Sequence, residues 1–148
     1  MNNEEIMTGV ELEIILKAGK ILLSSGAEIS RTEDTMNYIA RAMNFKDLEA
    51  YVSNRGIFAT AKKADGTEIT RICNVPEVDI NLSKIESVNA LSRRVTQKNI
   101  TTEEIESELN QIDTMSDYSF FWRLVAYTLG ASGFSYAIGS SITCLLYT

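Results

Sequence analysis

The residues best suited to chemistry lie close together near the start of the chain: Glu28, Arg31, Glu33 and Asp34. One guanidinium and three carboxylates around a helix N-terminus suit a zwitterion or a small anion, since the terminal N–H groups and the helix dipole favour negative charge there. The same residues also have an ordinary structural reading. Glu33 completes a cap, Asp34 complements the dipole, and Glu28 pairs with Arg31 in solvent. Arg71 is a further candidate, either gripping a carboxylate with its two-pronged fork or satisfying Glu28 or Asp34. Cys73 reads as a small buried hydrophobe. The chain has no histidine, so the commonest general base and metal ligand is missing. No Gly-rich phosphate loop, nucleophile elbow or paired-cysteine spacing occurs. No catalytic residue, cofactor or metal is expected.

The elements that position these residues follow from apolar spacing. Leu12, Ile15, Leu16, Gly19, Leu22 and Leu23 recur at threes and fours, which predicts an amphipathic helix closed by Gly26 in a left-handed cap. Ser30-Arg31-Thr32-Glu33 predicts a capping box opening a second helix, with Thr32, Met36, Ile39, Ala40 and Met43 inward. The period then changes. Ala50 to Ser53 reads as a short strand, and Gly56–Lys63 with Thr67–Cys73 as a hairpin around Asp65-Gly66. A two-residue loop would set Lys63 opposite Glu68, Ala61 opposite Thr70, Thr60 opposite Arg71 and Phe58 opposite Cys73. Pro76 ends the sheet. A helix capped by Asn81 runs from about Leu82 to Thr96 with Ile85, Val88, Leu91 and Val95 inward, and Thr101 with Glu104 opens another bearing Ile105, Leu109 and Ile112. The fold class is α+β: a two-helix hairpin, a small antiparallel sheet of about three strands, two further helices, then one C-terminal transmembrane helix.

That last helix rests on Leu124 to Tyr147, a stretch without a charge. As a helix it would cover roughly 36 Å, enough for a hydrocarbon core of about 30 Å. Tyr118, Phe120, Phe121 and Trp122 flank one end and Tyr147 the other, as at a membrane interface. Ala131, Ser135 and Gly139, with Gly130, Gly133, Ala137 and Ser141, make a face of small residues that lets neighbouring helices approach. A weak glycine-rich anchor, an amphipathic hairpin of a soluble protein or a buried soluble helix is the plainer reading. The domains are therefore set at 1–117, hydrophilic, and 118–148, the span. Arg93, Arg94, Lys98 and Arg123 all precede the span, which places the hydrophilic domain on the cytoplasmic side of the inner membrane. The net charge of −6 argues against nucleic acid as a partner. Two widely separated cysteines, Cys73 and Cys144, fit a reducing compartment.

Ser25-Gly26-Ala27-Glu28, Arg31 and Glu33-Asp34-Thr35-Met36 together resemble the signature that opens the threonine/serine exporter family. Gly56-Ile57-Phe58, Thr70-Arg71, Val75-Pro76, Asp79-Ile80-Asn81-Leu82 with Lys84, Val88-Asn89 and Leu91-Ser92-Arg93 follow in the family's order. Gly133-Phe134-Ser135-Tyr136 and Gly139-Ser140 look like the start of its first membrane helix. The resemblance implies a hydrophilic N-terminal domain ahead of a membrane bundle, with a second set of spans fused or supplied by a small partner subunit. It implies secondary export of threonine, serine or related small carboxylates. Carried over, it marks Glu28, Arg31, Glu33, Asp34, Arg71, Asn81, Lys84, Asn89 and Arg93 as candidates for substrate binding or coupling. With one span of such a bundle, the chain reads as a truncated unit that is not transport-competent alone. It would partner the membrane and the remaining helices of its family unit, and a homo-oligomer is left open. The alternative is a membrane-tethered sensing or docking domain without transport, and hydrolase activity is not expected.

Overall fold

The computed structural model describes residues 3–97, 100–115 and 120–138. Its elements run α1 (Asn3–Ser24), α2 (Ile29–Ala42), β1 (Phe45–Ser53), β2 (Gly56–Lys63), β3 (Glu68–Asn74), α3 (Leu82–Gln97), α4 (Thr102–Asp113) and α5 (Phe120–Ala137). Among the described residues the fold is thus α+β, with five helices and one antiparallel sheet in the order β1-β2-β3. The chain divides into two units, Met1–Met115 and Ser116–Thr148.

In the first unit α1 is the central element. The expected stripe is buried, and so are Ile14, Ala18 and Ile21 on its other sides. A helix apolar nearly all round needs neighbours all round, and α1 packs against α2, α3, α4, β2 and β3. Gly19 sets the closest approach: a Cβ there would lie 2.6 Å from Met36 Sδ and 2.9 Å from Ile57 Cδ1. Gly26, at φ +86°, closes α1 as expected. Its N–H donates to the Leu23 carbonyl at 3.0 Å and that of Ala27 to the Leu22 carbonyl at 2.9 Å, the paired bonds of a Schellman turn.

Three local expectations are corrected. First, α2 opens at Ile29 with Glu28 as its N-cap, not through a capping box at Ser30. The Gly26 turn has already redirected the chain, and Thr32 is buried with its hydroxyl donating to the Glu28 carbonyl at 3.0 Å. Second, β1 begins at Phe45 rather than Ala50. Third, the hairpin loop has three residues, 64–66. Lys63 N–H donates to the Thr67 carbonyl at 2.9 Å, and Gly66 sits at φ +90°. The Thr67 N–H donates to the Asp65 carboxylate at 2.8 Å, which holds that carboxyl below its ordinary range. The register moves by one, pairing Lys62 with Glu68, Thr60 with Thr70, Phe58 with Ile72, Ala59 with Arg71 and Ile57 with Cys73.

A one-residue slip carries every side chain to the other face. Arg71 and Cys73 therefore share the helix-covered face with Ile57, Ala59 and Ala61. On the open face Tyr51, Phe58 and Ile72 form an exposed row across all three strands.

The remaining helices follow the sequence. Asn81 Oδ1 accepts the Lys84 N–H at 3.1 Å and caps α3. Val88, Leu91 and Val95 are buried, with Ile85 half-buried against the core. Thr101 and Glu104 form the reciprocal capping box of α4, whose Ile105, Leu109 and Ile112 complete the core. Removing that cap through Thr101→Ala should lower stability by about 1 kcal/mol, read as a shift in the midpoint of a urea titration.

In the second unit α5 has 18 residues, and Phe121, Trp122, Tyr127, Leu129, Phe134 and Tyr136 on it are exposed. Among the described residues, no helix is long and apolar enough to cross a membrane. Lys98, Tyr118, Gly139, Ser140, Ser141, Cys144 and Tyr147, used in the membrane reading, lie outside the described residues.

Candidate functional site

Five of the nine candidate residues converge on the seam between α2 and α3. A cleft of about 180 Å³ has Glu28, Arg31 and Asn89 at its polar side and Leu22, Leu82 and Ile85 at its apolar side. A second, of about 230 Å³, shares Arg31 and Asn89 with the first and adds Asp34, Tyr38 and Arg93. The helical repeat explains the convergence. Glu28, Arg31, Asp34 and Tyr38 are spaced at three and four along one edge of α2, as Asn89 and Arg93 are along the facing edge of α3. Buried Thr32, Thr35, Met36, Val88 and Leu91 sit beside these edges and clamp the two helices together. At about 30 Å³ per water, either cleft holds several waters or one small metabolite.

The floor of the seam is polar and buried. Thr35 Oγ1 donates to the Arg31 carbonyl at 2.8 Å and lies 3.4 Å from Asn89 Oδ1. Ser92 Oγ donates to the Asn89 carbonyl at 2.9 Å. Among the described residues, none of Glu28, Arg31, Asp34 and Arg93 forms an ion pair. The structural alternative, in which Glu28 and Arg31 neutralise each other, is therefore not what the protein adopts. Two guanidiniums and two carboxylates face one seam with an amide between them. Such a set can take a carboxylate and an ammonium at once, each through charge-assisted hydrogen bonds.

The other candidates stand apart. Glu33 lies on α2, half-buried, and lines neither cleft. Asn81 caps α3, and Lys84 Nζ donates to the Asp113 carbonyl at 2.9 Å, tying α3 to the end of α4. Arg71 pairs loosely with Glu13 of α1 at 3.8 Å, not with Glu28 or Asp34. It borders a different cleft, with Lys17, Lys20, Cys73 and Asp113. Burial pushes the Cys73 thiol above its ordinary value, with Lys20 opposing the shift.

Tyr38, Thr35 and Ser92 were missed in the sequence. The first is one turn beyond Asp34 and the last is three residues beyond Asn89, so helical spacing could have found both. Among the described residues no group of three acidic or cysteine side chains is placed to hold a metal ion.

Neither a curated protein nor a solved structure matches the chain. The family model described as "Putative threonine/serine exporter" matches residues 13–148, nearly its whole length, and the chain belongs to that family.

Proposed function

We propose that the α2–α3 seam recognises the zwitterionic head of threonine, serine or a related small carboxylate during export across a membrane. Family membership supports a transporter rather than an enzyme and association with a membrane. The observation that carries the reading is the convergence around Asn89 of opposite charges that form no ion pair among the described residues. Arg31 and Arg93 receive the carboxylate, Glu28 and Asp34 the ammonium, and the Asn89 amide the substrate hydroxyl. Asn81 and Lys84 hold α3 at the distance this requires, and Glu33 and Arg71 lie outside the grip. α5 alone encloses no path, so export draws on further membrane helices of the same family unit or of a small partner subunit. The 3–115 unit then lies on the cytoplasmic side, where intracellular amino acid is available.

A docking role without substrate binding is the second reading, favoured by the exposed Tyr51–Phe58–Ile72 row on the open sheet face. Export from threonine-loaded cells separates the two. Arg31→Ala at matched protein level should reduce export at limiting substrate by roughly tenfold or more, the loss of a charged hydrogen bond of about 1.5–3 kcal/mol. Glu86→Ala, an exposed α3 residue that lines neither cleft, should leave it unchanged. Export that survives Arg31→Ala would leave the docking reading in place.

A further inference from the structure

The cleft bordered by Arg71 lies where α1, β3 and the end of α4 meet, and at about 450 Å³ it is larger than either part of the α2–α3 seam. Three cations face it, Lys17 and Lys20 from successive turns of α1 and Arg71 from β3, against the carboxylates of Glu13 and Asp113. This local excess of positive charge stands out on a chain whose net charge is −6. The guanidinium is held in place by the backbone around it. Its Nη1 donates to the Thr70 carbonyl at 3.3 Å, and Gly9 leaves it room, since a Cβ there would lie 3.3 Å from Nη2. Lys17 Nζ donates to Asn110 Oδ1 and keeps further N–H groups. Among the described residues Lys20 forms no ion pair.

We propose that this cleft binds a phosphate group, held by Arg71, Lys17 and Lys20. Among the described residues the carboxylate paired with Arg71 is that of Glu13, at 3.8 Å and with two-thirds of its side chain exposed, so it is displaced into solvent at little cost. A monocarboxylate would merely replace Glu13 on Arg71. A phosphate dianion presents oxygens in several directions and takes all three cations together, with the planar fork of Arg71 bridging two of them. The site is separate from the α2–α3 seam and does not depend on it.

Inorganic phosphate titrated calorimetrically into the full chain, at ionic strength fixed with sodium chloride, tests the assignment. Saturable binding should weaken at least tenfold in Lys20→Ala and in Arg71→Ala and persist in Arg31→Ala. Arg71→Lys, which keeps the charge and loses the fork, should fall between. Cys73 borders the cleft and gives a second readout in a Cys144→Ser background, where bound phosphate should slow its alkylation. Vesicles of phosphatidylglycerol in place of inorganic phosphate distinguish a lipid headgroup from a free ion: protection by the vesicles alone assigns the same site to the headgroup. Absence of protection by either, or equal binding in the parent and in variants whose circular dichroism is unchanged, overturns the proposal.

Discussion

Lys63→Met should lower the stability of the 3–115 unit by about 2–3 kcal/mol, a larger effect than any exposed ion pair would give. Lys63 Nζ lies 2.5 Å from Glu11 Oε2, with the two side chains only 22% and 14% exposed. The ammonium also sits 5.4 Å from the centroid of the Phe45 ring. Removing it leaves the Glu11 carboxylate largely desolvated and without its counter-charge, and that penalty dominates over the modest cation–π loss of about 0.5–1 kcal/mol. A fully buried pair would cost about 3–5 kcal/mol when broken, and the residual exposure here lowers the figure. The double variant Glu11→Leu/Lys63→Met should recover most of the loss, because two apolar groups of similar volume replace both charges. Urea titrations of the parent, both single variants and the double variant give the coupling directly. If the losses simply add, the contact is a surface pair of little consequence.

The same lysine shows why the hairpin was only partly legible in the sequence. Asp65-Gly66 correctly marked a turn, but the dipeptide fits both a two-residue loop and a three-residue loop with glycine at its left-handed end. The deciding contact is distant: Lys63 reaches back to Glu11 on α1, while Lys62 takes Glu68 at 3.9 Å. Long-range pairing of that kind leaves no mark on local spacing. β1 was shortened for a related reason. Its register shifts between Phe45 and Asp47, so buried Phe45 and Leu48 lie three residues apart, and the alternation at two begins only with Leu48, half-buried Ala50 and Val52. A bulge thus disguises the first half of a strand as non-strand. The helices read well because α2, α3 and α4 each bury a stripe at the helical period, and because Gly26, Asn81 and Thr101 cap through local chemistry.

For the candidate site, the sequence marked charged residues on α2, of which Arg31 and Asp34 line the clefts and Glu33 does not, but could not pair them. Whether Arg31 met Glu28 or nothing depended on which helix packs beside α2, and that partner, α3, lies about fifty residues further along. Arg71 left the cluster through the register slip, which turned it towards α1. Asn89 and Arg93 entered the candidate set through the family's motifs, since nothing local distinguishes an asparagine and an arginine on an amphipathic helix.

Leu91→Ala and Leu109→Ala separate packing from recognition. Both leucines are 0% exposed, and each truncation should cost about 3 kcal/mol, within the 2–5 kcal/mol range for such cavities. For a chain of this size that corresponds to a melting temperature lower by about 10 °C. Their functional consequences should differ. Leu91 lies on α3 between Asn89 and Arg93, and α3 packs directly on α2. A cavity under it lets the two edges of the seam drift, so the substrate concentration for half-maximal export should rise several-fold. Leu109 lies on α4, which packs on α1 and α3 but not on α2. Its loss should leave that concentration near the parent value at any temperature where the protein remains folded. Equal shifts in both variants would mean that export tracks stability alone, and the α2–α3 seam would lose its claim to the substrate.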